Sequence, residues 1–105
     1  MAADYLVREG FHVLARNWRC GQGEIDIVAL DGECVVVCEV KTRRSTVCGD
    51  ALEAVTPVKL ARLRRLAAAW LAEQDRCFPD VRIDVIAVRP SAAGAQAIEH
   101  LRGVG

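Results

Sequence analysis

Two alternating segments on either side of an Asp31-Gly32 pair constrain the fold of this chain more than any other feature. Residues 23–41 have the sequence GEIDIVALDGECVVVCEVK. Side chains alternate between the two faces of a β-strand, and Asp-Gly between two alternating segments is a strong signal for a β-hairpin. We therefore predict two antiparallel strands joined by an Asp31-Gly32 turn, with the apolar residues on one face. These residues are Ile25, Ile27, Val36, Cys38 and Val40.

The opposite face of the predicted hairpin carries a cluster of ionisable side chains. Glu24 and Asp26 lie on the first strand, and Glu39 and Lys41 on the second. A two-residue turn places Glu24 opposite Glu39, with Asp26 on the diagonal. Because like charges opposed across a strand pair are destabilising, the cluster indicates a hard divalent cation, with Lys41 as a fixed positive charge beside it. The alternative is a solvated outer face of a half-exposed hairpin.

Length and composition indicate one small globular domain. The chain has 105 residues, of which 52% are hydrophobic, enough for one core. No segment is apolar over the length needed to cross a bilayer, and the first residues lack the basic start and apolar run of a secretory signal. We therefore expect a cytoplasmic protein without a membrane partner. The five cysteines have no paired metal-binding spacing and are expected to be reduced thiols.

Charge is unevenly distributed along the chain, although the formal net charge is zero. Residues 41–65 contain seven basic and two acidic side chains, so the remainder of the chain is net negative. A basic stretch that begins at a carboxylate cluster predicts a path for a phosphate backbone. Arg43, Arg44, Lys59 and Arg62 are the candidate phosphate contacts. For those on a helix, the alternative is a solvated charged face.

Periodicity predicts the elements on both sides of the hairpin. Thr56 is suited to cap a long helix with Pro57 in its first turn. A helix between two strands is the usual sign of a crossover, so the strands before and after it should be parallel. In chain order we predict a helix over 2–9, a strand over 11–18, a connector over 17–23, the hairpin, an exposed basic loop over 42–50, a helical turn over 51–55, a helix over 58–74, a buried strand over 81–88, a turn over 90–95 and an edge strand over 98–101.

These segments resemble those of known proteins. An acid on the second strand, a Glu-x-Lys triplet beginning thirteen positions later, and this order of elements are similar to the restriction-endonuclease-like superfamily of metal-dependent nucleases. The segments DYLVREGFHVLARNWR, GEIDIVA, VVVCEVKTR and RIDVIAV more closely resemble a bacterial family of uncharacterised proteins called YraN. The resemblance implies an α/β, three-layer restriction-endonuclease-like fold of order αβββαβ, in which helices flank a mixed sheet. It also implies a single domain over residues 1–105. Members of the family usually have a further stretch of helix before the point where this chain starts, so two alternatives stay open: the start is placed late, or the first helix is shortened.

The same resemblance implies a function and a site. In that superfamily, the equivalents of Asp26 and Glu39 bind Mg²⁺ or Mn²⁺, and Glu24 lies where a further metal or water ligand could be. Lys41 would position the attacking water or stabilise developing charge. The implied activity is a Mg²⁺-dependent endonuclease that hydrolyses phosphodiester bonds in DNA or structured nucleic acid. The implied partner is nucleic acid, with DNA the first expectation, and homodimerisation stays open.

Two other functions are consistent with the sequence. A non-catalytic nucleic-acid-binding module of the same fold would keep the basic surface without chemistry, and the zero net charge favours it slightly. A partner-recruiting protein would use the apolar stripe of the long helix, which includes Leu60, Leu63 and Trp70, and would need Trp70 to be exposed. The sequence does not distinguish DNA from RNA, branched from linear substrates, or an active enzyme from an inactive one.

Overall fold

A computed structural model describes residues 2–42, 56–90 and 96–104 as a mixed α/β structure. Its five strands form one sheet in the order β1-β2-β3-β4-β5. The sheet is antiparallel except between β3 and β4, which are parallel. The crossover predicted between these two strands is therefore confirmed. The elements are α1 (Ala2–Arg8), β1 (His12–Cys20), β2 (Gly23–Asp31), β3 (Cys34–Thr42), α2 (Pro57–Ala72), β4 (Asp80–Pro90) and β5 (Gln96–Leu101).

The two described helices pack on opposite faces of the sheet. Leu6 of α1 is fully buried against the apolar residues of one face, and Leu66 of α2 is fully buried against those of the other. Burying apolar side chains on both faces explains why the central strands are rich in valine and isoleucine. The α1 face includes Ile27, Ala29, Val36, Cys38 and Ile86, and the α2 face includes Ile25, Val28, Val35, Val37 and Ile83.

The long helix α2 begins as its sequence predicts. Thr56 has an extended backbone, and its Oγ1 accepts a hydrogen bond from the Lys59 N–H at 3.2 Å. The helix therefore starts with a side-chain cap followed by proline, whose missing N–H is not needed there. Trp70 is only 4% exposed and Leu63 is buried with it. The apolar stripe covers the sheet, so the partner-recruiting alternative, which required an exposed Trp70, is wrong.

The turn between β2 and β3 lies one residue later than the sequence predicted. Asp31 pairs with Cys34, so the two turn residues are Gly32 and Glu33 and not Asp31-Gly32. Gly32 has a φ of +62°, a backbone conformation that glycine adopts without steric cost. Asp31 instead stays in the strand, where its Oδ2 accepts a hydrogen bond from Arg82 at 3.0 Å.

This register changes which acids approach each other. Ile27 pairs with Cys38, and continuation of the same register places Asp26, not Glu24, across from Glu39. The predicted opposition of Glu24 and Glu39 is therefore wrong. The error follows from the turn, because moving a two-residue turn by one position moves every cross-strand partner by two.

The predicted single apolar face of the hairpin is also wrong at Ile25. Ile27 packs on the α1 face, whereas Ile25 packs on the α2 face. The pairing of β1 with β2 runs from Arg16↔Ile27 to Trp18↔Ile25 and omits the two residues between, Asn17 and Asp26. Because strict alternation would put both isoleucines on one face, the irregularity at Asp26 reverses the alternation.

Asn17 is the counterpart of this irregularity on β1. Its φ is +51°, a left-handed conformation that asparagine tolerates better than most residues with a side chain. The strand continues through it to Cys20, so the connector predicted over 17–23 is wrong. The actual turn consists of Gly21 and Gln22, with Cys20 paired to Gly23.

The other predicted elements agree with the structure to within about two residues, apart from those it does not describe. Residues 43–50 of the predicted basic loop, the predicted helical turn over 51–55, and residues 91–95 of the predicted turn lie outside the described residues. Cys20, Cys34, Cys38 and Cys77 are free thiols, as predicted. Burial raises the pKa of the Cys38 thiol to about 12, so it acts as an apolar core group. None of the described helices is long and apolar enough to span a membrane.

Candidate functional site

A polar pocket lies at the end of the sheet where β2 begins and β3 ends. Its volume is about 290 Å³, and the first turns of α2 form one of its sides. The structure thus brings together all four residues that the sequence predicted to form a site. The pocket is lined by Glu24, Asp26, Cys38, Glu39, Val40, Lys41, Arg62 and Leu63.

Glu39 is the buried acid of this pocket, at 7% exposure. Its Oε1 lies 3.5 Å from Lys41 Nζ and 3.6 Å from Arg62 Nη2. Its Oε2 is buried and has no hydrogen-bond partner among the described residues. Since leaving a buried acceptor unsatisfied costs about 1–3 kcal/mol, and more for a charged group, this oxygen is suited to a cation or a donor from a ligand. The solvated outer face considered for the hairpin is therefore wrong for Glu39.

Asp26 is held by the backbone of the neighbouring strand. Its Oδ2 accepts a hydrogen bond from the Val40 N–H at 2.8 Å. The regular β2–β3 pairing ends at Ile27↔Cys38, so the Asp26 side chain continues the connection where the ladder stops. This bond orients a carboxylate that lines the pocket and stays partly exposed to solvent.

Glu24 lines the pocket but pairs with Arg19, a residue that does not line it. Arg19, its direct partner across β1 and β2, places Nε 2.5 Å from Glu24 Oε2. Arg19 was not among the residues predicted from the sequence, because it lay in the predicted connector. A hairpin centred on Gly21 and Gln22 would have identified the Arg19 and Glu24 pair from the sequence alone.

The pocket residues fit a cation held by few protein ligands. Within the described residues, no group of three or more His, Cys, Asp or Glu side chains is arranged to hold a metal ion. Mg²⁺ nevertheless keeps several waters and commonly takes only one or two carboxylates. The unpartnered oxygen of Glu39 fits one such ligand, and Asp26 is the second candidate in the same pocket.

The predicted phosphate-binding residues divide into three groups. Arg62 is half exposed and lines the pocket together with Lys41. Lys59 lies on the first turn of α2, three residues before Arg62, and does not line the pocket. Arg43 and Arg44 lie outside the described residues.

A second buried carboxylate, Asp84 of β4, lies outside the pocket and is fully paired. Arg82 donates to both oxygens at 2.9 and 3.0 Å, the Gly103 N–H donates to Oδ1 at 2.9 Å, and His100 Nε2 lies 2.7 Å from Oδ2. The Tyr5 hydroxyl lies 2.9 Å from His100 Nδ1, which connects α1 to this network. Burial favours a raised pKa for Asp84, but these hydrogen bonds outweigh it and hold the pKa below its ordinary value.

The residues around Asp84 were not predicted as a network. The sequence showed only a single acid in a buried strand. One signal was present, because Arg82 and Asp84 are two positions apart and therefore share a face of β4. His100 lies on β5 and Gly103 follows the end of that strand, and no local pattern around Asp84 indicated either contact.

Comparison with known sequences gives a consistent family match. The profile described as "Uncharacterised protein family UPF0102" matches residues 1–88. A UPF0102 protein of Beutenbergia cavernae is 59% identical over 105 residues, which cover 100% of this chain and 89% of that protein. A UPF0102 protein of Kineococcus radiotolerans is 56% identical over 105 residues, with coverage of 99% and 86%.

Comparison with solved structures gives a much weaker similarity. The structure of Pyrococcus furiosus SfsA in complex with Ca²⁺ aligns with 97% of this chain and 59% of that chain, at 12% sequence identity. The TM-score is 0.36. A score this low does not establish a shared fold, so the similarity supports no statement about fold or function.

Proposed function

This chain belongs to the uncharacterised protein family UPF0102, and we propose that it is a Mg²⁺- or Mn²⁺-dependent endonuclease with a restriction-endonuclease-like fold. Its substrates would be phosphodiester bonds in DNA or structured nucleic acid. One observation carries the proposal: the buried Glu39 has an unpartnered oxygen in the pocket that it shares with Asp26 and Lys41. Buried polar atoms without partners are rare in folded proteins, and a carboxylate oxygen is a preferred ligand of hard cations.

Each residue of the pocket has a distinct role in this proposal. Glu39 and Asp26 would hold the cation, which when bound supplies the Lewis acidity that activates water and offsets phosphate charge. The Val40 N–H holds Asp26 in one orientation before any ligand arrives. Lys41, whose Nζ lies 3.5 Å from Glu39 Oε1, would place a fixed positive charge beside the oxygen that becomes negative during hydrolysis.

The helix on one side of the pocket would contact the substrate backbone. Arg62 is half exposed and 3.6 Å from Glu39, so its guanidinium can reach a phosphate at the pocket mouth. Lys59 precedes it by one helical turn and would add a second cation along the same face. Arginine binds phosphate through two parallel hydrogen bonds, which orients the backbone as well as attracting it.

The direct test is cleavage of defined nucleic acids by the purified protein. Branched, single-stranded and duplex DNA and RNA would be incubated with Mg²⁺ or Mn²⁺. We expect metal-dependent products from the wild type and from Glu33→Gln, which changes an exposed turn acid. Glu39→Gln and Asp26→Asn should lower the rate by roughly 100-fold or more, a loss typical for removing a group that stabilises the transition state.

Two results would contradict the nuclease proposal. One is that the wild type forms no metal-dependent product from any of these substrates. The other is that products persist unchanged in Glu39→Gln, which would assign them to a contaminating nuclease.

A second candidate is a non-catalytic nucleic-acid-binding module of the same fold. The observation that favours it is that Glu39 Oε1 lies 3.5 Å from Lys41 Nζ and 3.6 Å from Arg62 Nη2, so two side-chain cations already offset its charge. Such a module would bind oligonucleotides with a salt dependence that becomes less steep in Arg62→Ala, without any metal-dependent turnover. Binding together with turnover would exclude it.

A further inference from the structure

We propose that Glu24, which lines the pocket, is a positioning residue that holds Arg19 beside it, where Arg19 binds a substrate phosphate. The inference rests on the proposed function, because it assumes that a nucleic-acid strand lies across the pocket. It changes the role predicted for Glu24 from metal ligand to anchor. It also adds Arg19 to the residues that contact the substrate.

The contact between the two side chains leaves most of the guanidinium available. Arg19 and Glu24 are directly opposed on β1 and β2, and the bond between them uses the Nε of Arg19. The Arg19 side chain is 80% exposed, and within the described residues this is its only side-chain hydrogen bond. Since an arginine has five N–H donors, the two terminal nitrogens can still bind a phosphate.

The surroundings of Glu24 differ from those expected of a metal ligand in this pocket. Its Oε2 already accepts a charge-assisted hydrogen bond, and a cation there would have to replace the guanidinium. Its side chain is 34% exposed, so hydration satisfies the remaining oxygen without a metal. Glu39, by contrast, is buried with one oxygen unpartnered.

Two acids that line the pocket each hold an arginine from a different element. Arg19 lies beside the turn between β1 and β2, and Arg62 lies on α2. The start of β2 packs against α2, since a Cβ at Gly23 would lie 3.7 Å from the methyl groups of Leu66. Each arginine is paired with a different pocket acid, Arg19 with Glu24 and Arg62 with Glu39.

This arrangement indicates the class of substrate. A strand that extends beyond the phosphate nearest Lys41 would offer further phosphates to Arg62, which lines the pocket, and to Arg19, which Glu24 holds. A small phosphodiester bound near Lys41 would lack the further phosphates that contact Arg19 and Arg62. A polynucleotide is therefore favoured over a dinucleotide, and preorganised arginines lower the entropy lost on binding.

The competing explanation is an ordinary surface ion pair. Exposed pairs of this kind contribute little to stability, and a purely structural pair would leave oligonucleotide binding unchanged. The experiment must therefore measure binding of metal and of oligonucleotide separately. The variants are Glu24→Gln, Arg19→Ala and their combination, with Arg8→Ala of α1 as the matched control for loss of an exposed arginine.

Calorimetric titration with Mg²⁺ alone should show whether Glu24 is a metal ligand or a residue that only positions Arg19. We expect Glu24→Gln to keep the wild-type Kd to within about twofold, while Glu39→Gln loses binding. Binding of a labelled oligonucleotide should weaken on the order of tenfold in Glu24→Gln and in Arg19→Ala. The slope of log affinity against log salt should decrease in magnitude by about one in Arg19→Ala, and the double variant should be no weaker than Arg19→Ala.

The steady-state constants provide a further readout where the wild type cleaves. Glu24→Gln and Arg19→Ala should raise KM and leave kcat within about twofold, because the lost contact is not specific to the transition state. The proposal is overturned if Glu24→Gln abolishes Mg²⁺ binding, if Arg19→Ala binds the oligonucleotide as Arg8→Ala does, or if the wild type binds no oligonucleotide. A failure of the nuclease proposal alone is distinguishable, because turnover is then absent while both binding measurements still give a result.

Discussion

Glu39 on β3 and Asp84 on β4 are both buried carboxylates, but their oxygens are used differently. Every oxygen of Asp84 has two hydrogen-bond partners, from Arg82, His100 and Gly103. Glu39 has two cations near one oxygen, and its other oxygen has no hydrogen-bond partner among the described residues. Both carboxylates are buried, so burial alone does not distinguish them. Glu39 is the candidate functional acid because one of its oxygens has no partner and can accept a ligand.

The two acids are close in the sheet but belong to opposite faces. In the parallel β3–β4 pairing, Cys38 lies opposite Asp84, and Glu39 lies opposite Val85. Asp84 contacts His100, which contacts Tyr5 of α1, whereas Glu39 contacts Arg62 of α2. One face therefore uses its acid to join α1, β4 and β5, and the other keeps its acid beside an open pocket.

The largest expected effect is on the fully paired acid. Asp84→Asn should lower the free energy of unfolding by roughly 3–5 kcal/mol, because it removes the buried charge that Arg82 and His100 share. Urea unfolding at neutral pH would measure the loss. Asp80→Asn, at an exposed acid on the same strand, is the matched control and should stay within about 0.5 kcal/mol. A loss below about 1 kcal/mol in Asp84→Asn would remove the contrast between the two acids.

A smaller effect is expected from pH on the same residue. Because the folded-state pKa of Asp84 is lowered, its stabilising contribution is complete above the ordinary carboxyl pKa of 3.8 and is lost as pH falls through the lowered value. The difference in unfolding free energy between the wild type and Asp84→Asn should therefore narrow in acid. Urea unfolding from neutral pH to about pH 2 would show the trend. A difference that stays constant would mean that Asp84 titrates equally in both states.

The smallest effect on stability is expected at the acid with the unpartnered oxygen. Glu39→Gln should change the free energy of unfolding by no more than about 1 kcal/mol, because the substitution removes a buried charge that is incompletely paired. In the wild type, Mg²⁺ at ten times its Kd should add about 1.4 kcal/mol, and this gain should vanish in Glu39→Gln. Glu33→Gln should retain it. Strong destabilisation of Glu39→Gln without Mg²⁺ would show that Glu39 is structural, like Asp84.

Local sequence patterns predicted most of the elements for identifiable reasons. The helix α2 followed from a threonine cap, a proline and an apolar stripe, all of which act within a few residues. The parallel β3–β4 pair followed from the crossover rule. The turn between β2 and β3 was misplaced because glycine at its first position and Arg82 binding to Asp31 selected another register, and the second influence comes from a strand far along the chain.

The sequence predicted which residues form the candidate site but not how they are arranged. Spacing and resemblance identified Glu24, Asp26, Glu39 and Lys41, and the structure places all four at one pocket. The unexpected feature is the unequal environment of the three acids. Glu24 pairs with Arg19, Asp26 with a backbone N–H, and Glu39 retains an unpartnered oxygen.

The sequence by itself determined which segments become strands and helices and which residue types meet at one end of the sheet, because propensity, capping and alternation act over a few neighbouring residues. Only the tertiary structure decided the strand register, the reversal of faces at Asp26, and the different partners of Glu39 and Asp84. Those features depend on contacts with residues that are distant in sequence. A buried polar group forms hydrogen bonds only with the partners that the tertiary structure brings next to it.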